Sequence, residues 1–278
     1  MSNQPSPGVP RSGAPGTAAA RIVDSGRGAA WWSEAWRLFT PAAGVWILIA
    51  IVAFILNIVL AFIPLLGHVA GQLLFPIFAG GLMLGCRAID RGEPLTVGHL
   101  FAGFGTRLGP LFIVGLIYTA LVVAIMLVVF GLLLVFFGAS IVGHLWHMQD
   151  LQDPLAVGSM LGGMLGGMLV AVLVGALIFL LLYLPLLMAI WFAPALVVLH
   201  AVDPLEAMRL SFSGSLRNVV PFLVYGLIGL VLAIVATIPL GLGWLVLGPA
   251  TVTSLYASYC DIYEDPPSAP GAARPQAV

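Results

Sequence analysis

Six long apolar runs constrain this chain more than any other feature of its sequence. A bilayer core of about 30 Å needs about 20 helical residues to cross it, and the runs are of that order. In lipid only helices and closed barrels satisfy their backbone hydrogen bonds, and these runs lack the alternation of barrel strands. The sequence therefore predicts an all-α, polytopic transmembrane helical bundle with spans near Ala42–Ile63, His68–Cys86, Pro110–Phe137, Leu161–Leu187, Pro221–Ile238 and Trp244–Tyr259.

The composition excludes the main soluble classes. The 278 residues are 61% hydrophobic and only 8% charged, whereas soluble domains average about 25% charged residues. The net charge of −1 provides no basic surface for nucleic acid. The two cysteines, Cys86 and Cys260, are too few for a disulfide scaffold and are predicted to be free thiols.

Both ends of the chain differ in composition from its middle. Residues 1–29 and 265–278 are rich in Pro, Gly, Ser and Ala and contain no apolar run, which predicts disordered cytoplasmic tails. The intervening residues 30–264 form a single predicted membrane domain with six spans.

The basic residues occur only in the two tails and in every second connection. All ten are arginines, and all ten lie before the first span, after the sixth, or in the second and fourth connections. The positive-inside rule then predicts both termini in the cytoplasm of a plasma membrane. The residues are Arg11, Arg21, Arg27, Arg37, Arg87, Arg91, Arg107, Arg209, Arg217 and Arg274.

An arginine followed closely by a proline precedes each odd-numbered span, with prolines at Pro41, Pro110 and Pro221. We interpret this as three helical hairpins, each preceded by a short amphipathic interfacial helix. The third such helix is predicted to begin with a capping box of Asp203 and Glu206. Its apolar face, and an aromatic anchor before span one, should lie in the headgroup region. Those residues are Leu205, Met208, Phe212 and Leu216 for the helix, and Trp31, Trp32 and Trp36 for the anchor.

Two segments leave alternatives open. Residues 161–200 are predicted to be one long helix broken at Pro185 or Pro194, or a helix followed by a re-entrant segment at 190–200. Small residues that include Gly158, Gly162 and Gly166 recur every four positions, which predicts close helix packing. The neighbour is by default in the same chain, with a second copy as the alternative.

Candidate metal ligands lie between spans three and four. His144, His147 and Met148 combine imidazole and thioether groups, which suit copper or zinc. No cysteine or further ligand accompanies them, so we predict no metal and no cofactor.

The spans contain no charged residue near mid-depth, which argues against proton coupling. Their polar side chains include Gln72 and, as a candidate path for a solute or a lipid, Asn57, Thr251, Ser254 and Ser258. Ser and Thr stripes also form interhelical hydrogen bonds, and packing is the reading we favour for span six.

Several stretches resemble an uncharacterised family of bacterial six-helix inner-membrane proteins, and more distantly the membrane domain associated with glycerophosphodiester phosphodiesterases. The resemblance covers about residues 31–263 and implies an inner-membrane location and a six-span topology. It is carried by residues 63–67, 98–104, 192–197, 211–218 and 254–262.

The sequence contains no Gly-x-Ser-x-Gly, Walker, zincin or dinucleotide motif. We therefore predict a non-enzymatic membrane scaffold, or a protein that binds lipid or a partner. The alternative is a transporter or channel for a small or lipid-like solute. The predicted partners are the lipid bilayer and a membrane protein or second copy, and not nucleic acid.

Overall fold

The computed structural model describes residues 19–64, 66–145 and 154–264, and in these residues all regular structure is helical. Two short 3-10 segments, Thr40–Ala42 and Val97–Phe101, separate some of the helices. The helices are α1 Arg27–Phe39, α2 Ala43–Ala61, α3 Leu66–Asp90, α4 Ala102–Thr106, α5 Leu108–Leu145, α6 Pro154–Trp191, α7 Ala193–His200, α8 Pro204–Arg217, α9 Val219–Thr237 and α10 Trp244–Tyr263.

Five helical stretches in the described residues are long and apolar enough to cross a membrane. The predicted all-α class is confirmed, and by length and composition the chain is a multi-pass membrane protein. The sixth predicted span, now α10, is not among the five. The five stretches are Arg27–Ala61, Leu66–Asp90, Leu108–Ala139, Gly162–His200 and Val219–Thr237.

The helices α5 and α6 pack along each other and are longer than their predicted spans. Each contains 38 residues, which corresponds to about 57 Å at 1.5 Å per residue. Large side chains on both are exposed, among them Leu127, Val135 and Leu181. This surface needs an apolar surrounding such as lipid, since monomeric soluble proteins rarely expose large contiguous apolar patches.

The break between α6 and α7 lies at Phe192, and α6 continues as a regular helix through Pro185. The hydroxyl group of Ser211 is inserted into the helical hydrogen-bond ladder at this point. It accepts a bond from the Phe192 backbone N–H (2.9 Å) and donates one to the Met188 carbonyl (2.7 Å). Because Pro194 also lacks a donor, the ladder is interrupted here, and the helix resumes as α7.

The aromatic anchor predicted before span one is only partly at the surface. Trp36 is 52% exposed, but Trp31 is fully buried among Phe222 and Tyr225. Trp32 stacks on Tyr225 at 4.8 Å and donates to its carbonyl oxygen. The helix α1 is therefore held against α9 and α10 rather than only against a headgroup layer.

The helix α8 begins after Asp203 with Pro204 in its first turn, as predicted, but the predicted capping box does not form. The Asp203 side chain makes no capping hydrogen bond, and Glu206 instead lies 3.9 Å from Arg209. Leu205 and Leu216 are exposed, whereas Met208 is buried. The face that packs against α6 and α7 is formed by Ala207, Met208, Ser211, Gly214 and Ser215.

Residues that precede the predicted start of the membrane domain contact its helices. The N–H of Arg21 donates to the Ile262 carbonyl (2.9 Å), and Val23 N–H donates to Asn218 Oδ1 (2.9 Å). The fully buried Asn218 also donates to the Arg21 carbonyl (2.8 Å). Residues 19–26 thus lie against α10 and the α8–α9 junction, while residues 1–18 and 265–278 lie outside the described part.

The predicted small-residue stripe of α6 is approached by other described helices only along part of its length. A Cβ atom added at Gly158, Gly162 or Gly166 would meet no described atom within 4 Å. Farther along α6, Ala171 is 2% exposed, and Gly175 lies close to the Leu133 side chain of α5. Among the described residues, the first three glycines therefore do not pack closely against another helix.

Candidate functional site

A cavity of about 850 Å³ lies between α2, α3 and α10, and the end of α6 with α7 completes its wall. This volume is within the range of about 300–1,000 Å³ that is usual for ligand pockets. Most of the wall is apolar, with Phe75, Leu82 and Leu187 as examples. The cavity is much larger than the voids of a packed core, which rarely exceed the size of a water molecule.

The helix α3 forms the long axis of the cavity. His68, Gln72, Phe75, Ala79 and Leu82 all line it and recur every three or four residues, so they share one helix face. The lining residues of α3 extend from Gly67 to Met83, which is about 24 Å along the helix axis. The cavity therefore covers much of the thickness of a bilayer core of about 30 Å.

The two ends of the cavity differ in exposure. Near one end, His68 is exposed, and Phe75 and Trp244 are 50% and 48% exposed. At the other end, Met83 and Leu100 are each only 1% exposed. The cavity is thus open near the start of α3 and closed where α3 meets the 3-10 segment that contains Leu100.

Three polar side chains lie at the open end. Within the described part of the chain, the exposed His68 and the half-buried Gln72 have no hydrogen-bond partner. The exposed Asn57 donates through Nδ2 to the Ala53 carbonyl (2.9 Å), which leaves its Oδ1 without a described donor. These three side chains can therefore form hydrogen bonds with a ligand or with water.

Four further residues of the cavity wall carry polar groups. The Tyr118 and Tyr183 hydroxyls, on α5 and α6, lie 3.0 Å apart and bond to each other. Thr251 lines the cavity and donates to the Leu247 carbonyl of its own helix (2.8 Å). Trp191 also lines the cavity, and its buried Nε1 has no hydrogen-bond partner among the described residues.

The polar residues predicted as one path are divided by the structure. Asn57 and Thr251 line the cavity, and Ser254 and Ser258 do not. Ser254 is fully buried, donates to the Thr251 carbonyl (2.9 Å) and lies 2.8 Å from the Tyr225 hydroxyl. Ser258 is 1% exposed and donates to the Leu255 carbonyl (2.8 Å). The Ser254 and Ser258 hydroxyls therefore form hydrogen bonds inside the helix bundle.

Sequence reasoning singled out Asn57 and Gln72 separately and passed over His68, Trp191 and Tyr183. A signal for His68 was present, since it stands four residues before Gln72 in the same apolar run. For Tyr183 and Trp191 no such signal exists, because their place on the wall depends on how α6 meets α5 and α3.

A second polar group of residues lies at the opposite end of α3 and joins α1 to α10. Asp261 accepts hydrogen bonds from Arg27 Nε (2.6 Å) and Trp31 Nε1 (2.7 Å). Arg27 also pairs with Glu34 (2.6 Å), and Arg87 of α3 pairs with Glu264. We call this group the charged-end cluster, formed by Arg27, Trp31, Glu34, Arg87, Asp261 and Glu264.

The structure provides no metal centre in its described residues. No group of three or more His, Cys, Asp or Glu side chains there could hold a metal ion. The candidate ligands His147 and Met148, and the side chain of His144, lie outside what the structure describes. Cys86 and Cys260 are free cysteines.

Comparisons with protein-family models, curated proteins and solved structures found no match for this chain. The function must therefore be argued from the cavity and its surroundings.

Proposed function

We propose that this protein is a non-enzymatic, multi-pass protein of the bacterial inner membrane that binds a lipid-like molecule in the cavity. The observation that carries the proposal is the cavity itself, which is about 850 Å³ in volume and largely apolar. Its extent of about 24 Å along α3 covers most of a bilayer core of about 30 Å. A polar small solute would need many more hydrogen-bonding groups along the wall, whereas a hydrocarbon chain needs none.

The proposal includes six spans, arranged as three hairpins with both termini in the cytoplasm. The helix α10 is the sixth span, with 20 residues and a length of about 30 Å. It is less apolar than the others because it contains Thr253, Ser254 and Ser258, which are buried inside the bundle and do not meet lipid. All ten arginines lie in the two tails or in the second and fourth connections, which this topology places on the cytoplasmic side.

Transport is the less favoured function, because the polar stripe of α10 does not continue along the cavity. Thr251 borders the cavity, but Ser254 one turn farther is hydrogen-bonded to neighbouring groups. The closed end at Met83 and Leu100 gives no polar exit. These features support retention of a bound molecule over its passage.

The first experiment fills the cavity and compares bound lipid. Gly248 lines the cavity, and a Cβ added there would meet no described atom within 4 Å, so Gly248→Phe should occupy the space without disturbing the backbone. The matched control is Gly226→Phe, which adds the same side chain at an exposed position of α9 outside the cavity.

Native mass spectrometry of the gently purified full chain is the measurement. We expect wild type and Gly226→Phe to retain one lipid-sized mass per chain, and Gly248→Phe to lose it. Equal retention by all three proteins would contradict a lipid-binding cavity.

Thiol labelling separates binding from transport. In a background that carries Cys86→Ala and Cys260→Ala, Thr251→Cys should react with a water-soluble maleimide once the bound lipid has been removed. Ser254→Cys should stay unreactive because the position is fully buried. Rapid labelling of Ser254→Cys from both sides of the membrane would favour a transport path instead.

A further inference from the structure

We infer that the cavity selects an uncharged amphiphile, whose polar group lies against Asn57, His68 and Gln72 and whose hydrocarbon part extends toward Met83. The inference rests on the proposed lipid-binding function and names the class of ligand for that site.

The hydrogen-bonding groups of the cavity place the polar end of the ligand. Asn57 Oδ1 is an acceptor without a described donor, and the half-buried Gln72 amide has no described partner of either kind. Gln72 and His68 are one helical turn apart on the face of α3 that borders the cavity. A ligand with hydroxyl and carbonyl groups would satisfy both donors and acceptors in this place.

Charge decides between a neutral and a phosphate-bearing polar group. Of the described residues that line the cavity, none is Asp, Glu, Lys or Arg. The nearest arginine along α3 is Arg87, which is about 28 Å from His68 along the helix axis and is paired with Glu264. Phosphate is most often bound by arginine or lysine, and neither residue lies at Asn57, His68 and Gln72.

The remaining length of the cavity fits a hydrocarbon chain. From Gln72 to Met83 the cavity wall contains Phe75, Ala79 and Leu82 and measures about 16 Å along α3. The buried residues Met83 and Leu100 close this end. A hydrocarbon chain that enters beside Phe75 therefore ends against the apolar side chains of Met83 and Leu100.

The test compares two probes with the same oleoyl chain, 1-oleoylglycerol and oleoyl lysophosphatidic acid, which differ by the phosphate. Both are titrated into the delipidated full-length protein in detergent, and occupancy is measured by native mass spectrometry. We expect one 1-oleoylglycerol per chain and at least tenfold weaker binding of the phosphate analogue.

Substitutions at the polar end test the placement of the head. Gln72→Met and Asn57→Leu keep the side-chain size, and each should weaken 1-oleoylglycerol about five- to tenfold, which is the value of one hydrogen bond. Gln72→Asn keeps an amide and should bind within about threefold of wild type. Ser258→Ala, which removes a hydroxyl away from the cavity, should bind like wild type.

The outcomes separate the inference from the proposed function. Equal binding of both probes, or unchanged affinity in Gln72→Met and Asn57→Leu, would overturn the neutral-head inference while Gly248→Phe still abolishes lipid binding. If neither probe binds and Gly248→Phe retains as much lipid as wild type, the lipid-binding function itself is wrong.

Discussion

The charged-end cluster and the open end of the cavity both contain polar side chains, but these side chains are paired in the cluster and largely unpaired at the open end within the described residues. In the cluster, Asp261 accepts from both Arg27 and Trp31, and Arg87 pairs with Glu264. At the open end, Gln72 and His68 have no partner within the described residues. Polar groups that satisfy each other hold helices together, whereas polar groups left unsatisfied in an apolar wall are available to a ligand.

The comparison also indicates different roles for the region where α1 packs on α10 and for the region of the cavity. The largest fully buried side chains include Trp31, Trp46, Phe192 and Tyr259, and three of these pack near the α1–α10 contact or the α6–α7 break. The cavity occupies the region between α2, α3 and α10 instead. Substitutions near α1 should therefore change stability, and substitutions at the open end should change binding.

The largest loss of stability is expected where α1 crosses α9. A Cβ atom on Gly28 would collide with the carbonyl oxygen of Pro221 and lie 3.0 Å from the Tyr225 nitrogen. Because both neighbours are backbone atoms, the helices must separate, and Gly28→Ala should lower the free energy of unfolding by about 3 kcal/mol. The measurement is unfolding in mixed micelles by SDS titration, followed by circular dichroism.

Gly44→Ala is the control for this prediction, because a Cβ there would meet no described atom within 4 Å. It lies inside α2, and replacing a helical glycine by alanine should stabilise by up to about 1 kcal/mol. If Gly28→Ala is as stable as Gly44→Ala, α1 does not cross α9 at this position.

A smaller loss is expected in the charged-end cluster. Asp261→Ala removes the acceptor of Arg27 Nε–H and of Trp31 Nε1–H, while Arg27 keeps its ion pair with Glu34. Since hydrogen bonds to charged groups are worth about 1.5–3 kcal/mol and this site is partly exposed, the expected loss is about 2 kcal/mol. Raising the salt concentration should reduce the difference from wild type.

Asp203→Ala is the matched control, since the Asp203 side chain is exposed and makes no capping hydrogen bond. Its effect should stay below about 0.5 kcal/mol. A loss of 1 kcal/mol or more would mean that Asp203 caps α8 in the membrane, as the sequence pattern alone predicts.

The helical class could be predicted from the sequence because hydropathy is a local property. Runs such as Pro110–Phe137 are apolar whatever their neighbours are, and α5 contains that run. The break near Pro194 was predictable for the same reason, because proline acts on its own turn. Its position at Phe192 depends also on Ser211, which reaches the break from another helix and leaves no local signal.

The candidate site was less predictable, because a stripe of polar or small residues on a helix does not indicate which other helix, if any, packs against it. Thr251 and Ser254 are neighbours on α10, yet one borders the cavity and the other is hydrogen-bonded to Tyr225 of α9. Similarly, the spacing of Gly158 and Gly162 indicates close packing, but no described helix lies against them. Whether such a residue lines the cavity or packs against a helix depends on tertiary contacts between residues far apart in the chain.

The smallest effect on stability is expected at the open end of the cavity, and it is the sharpest test of the comparison. Gln72→Met removes an amide that has no described partner and keeps the size of the side chain. No intramolecular hydrogen bond is lost and a polar group leaves an apolar wall, so the unfolding free energy of the delipidated protein should change by less than about 0.5 kcal/mol.

The same variant should differ from wild type once ligand is present. A ligand that binds only the folded state stabilises it in proportion to its affinity. Addition of 1-oleoylglycerol should therefore raise the melting temperature of wild type more than that of Gln72→Met. For Asp261→Ala the melting temperature should start lower but rise by as much as that of wild type. If Gln72→Met instead destabilises the delipidated protein as much as Asp261→Ala does, the amide is part of the folded framework, and the contrast between the two ends of the bundle is lost.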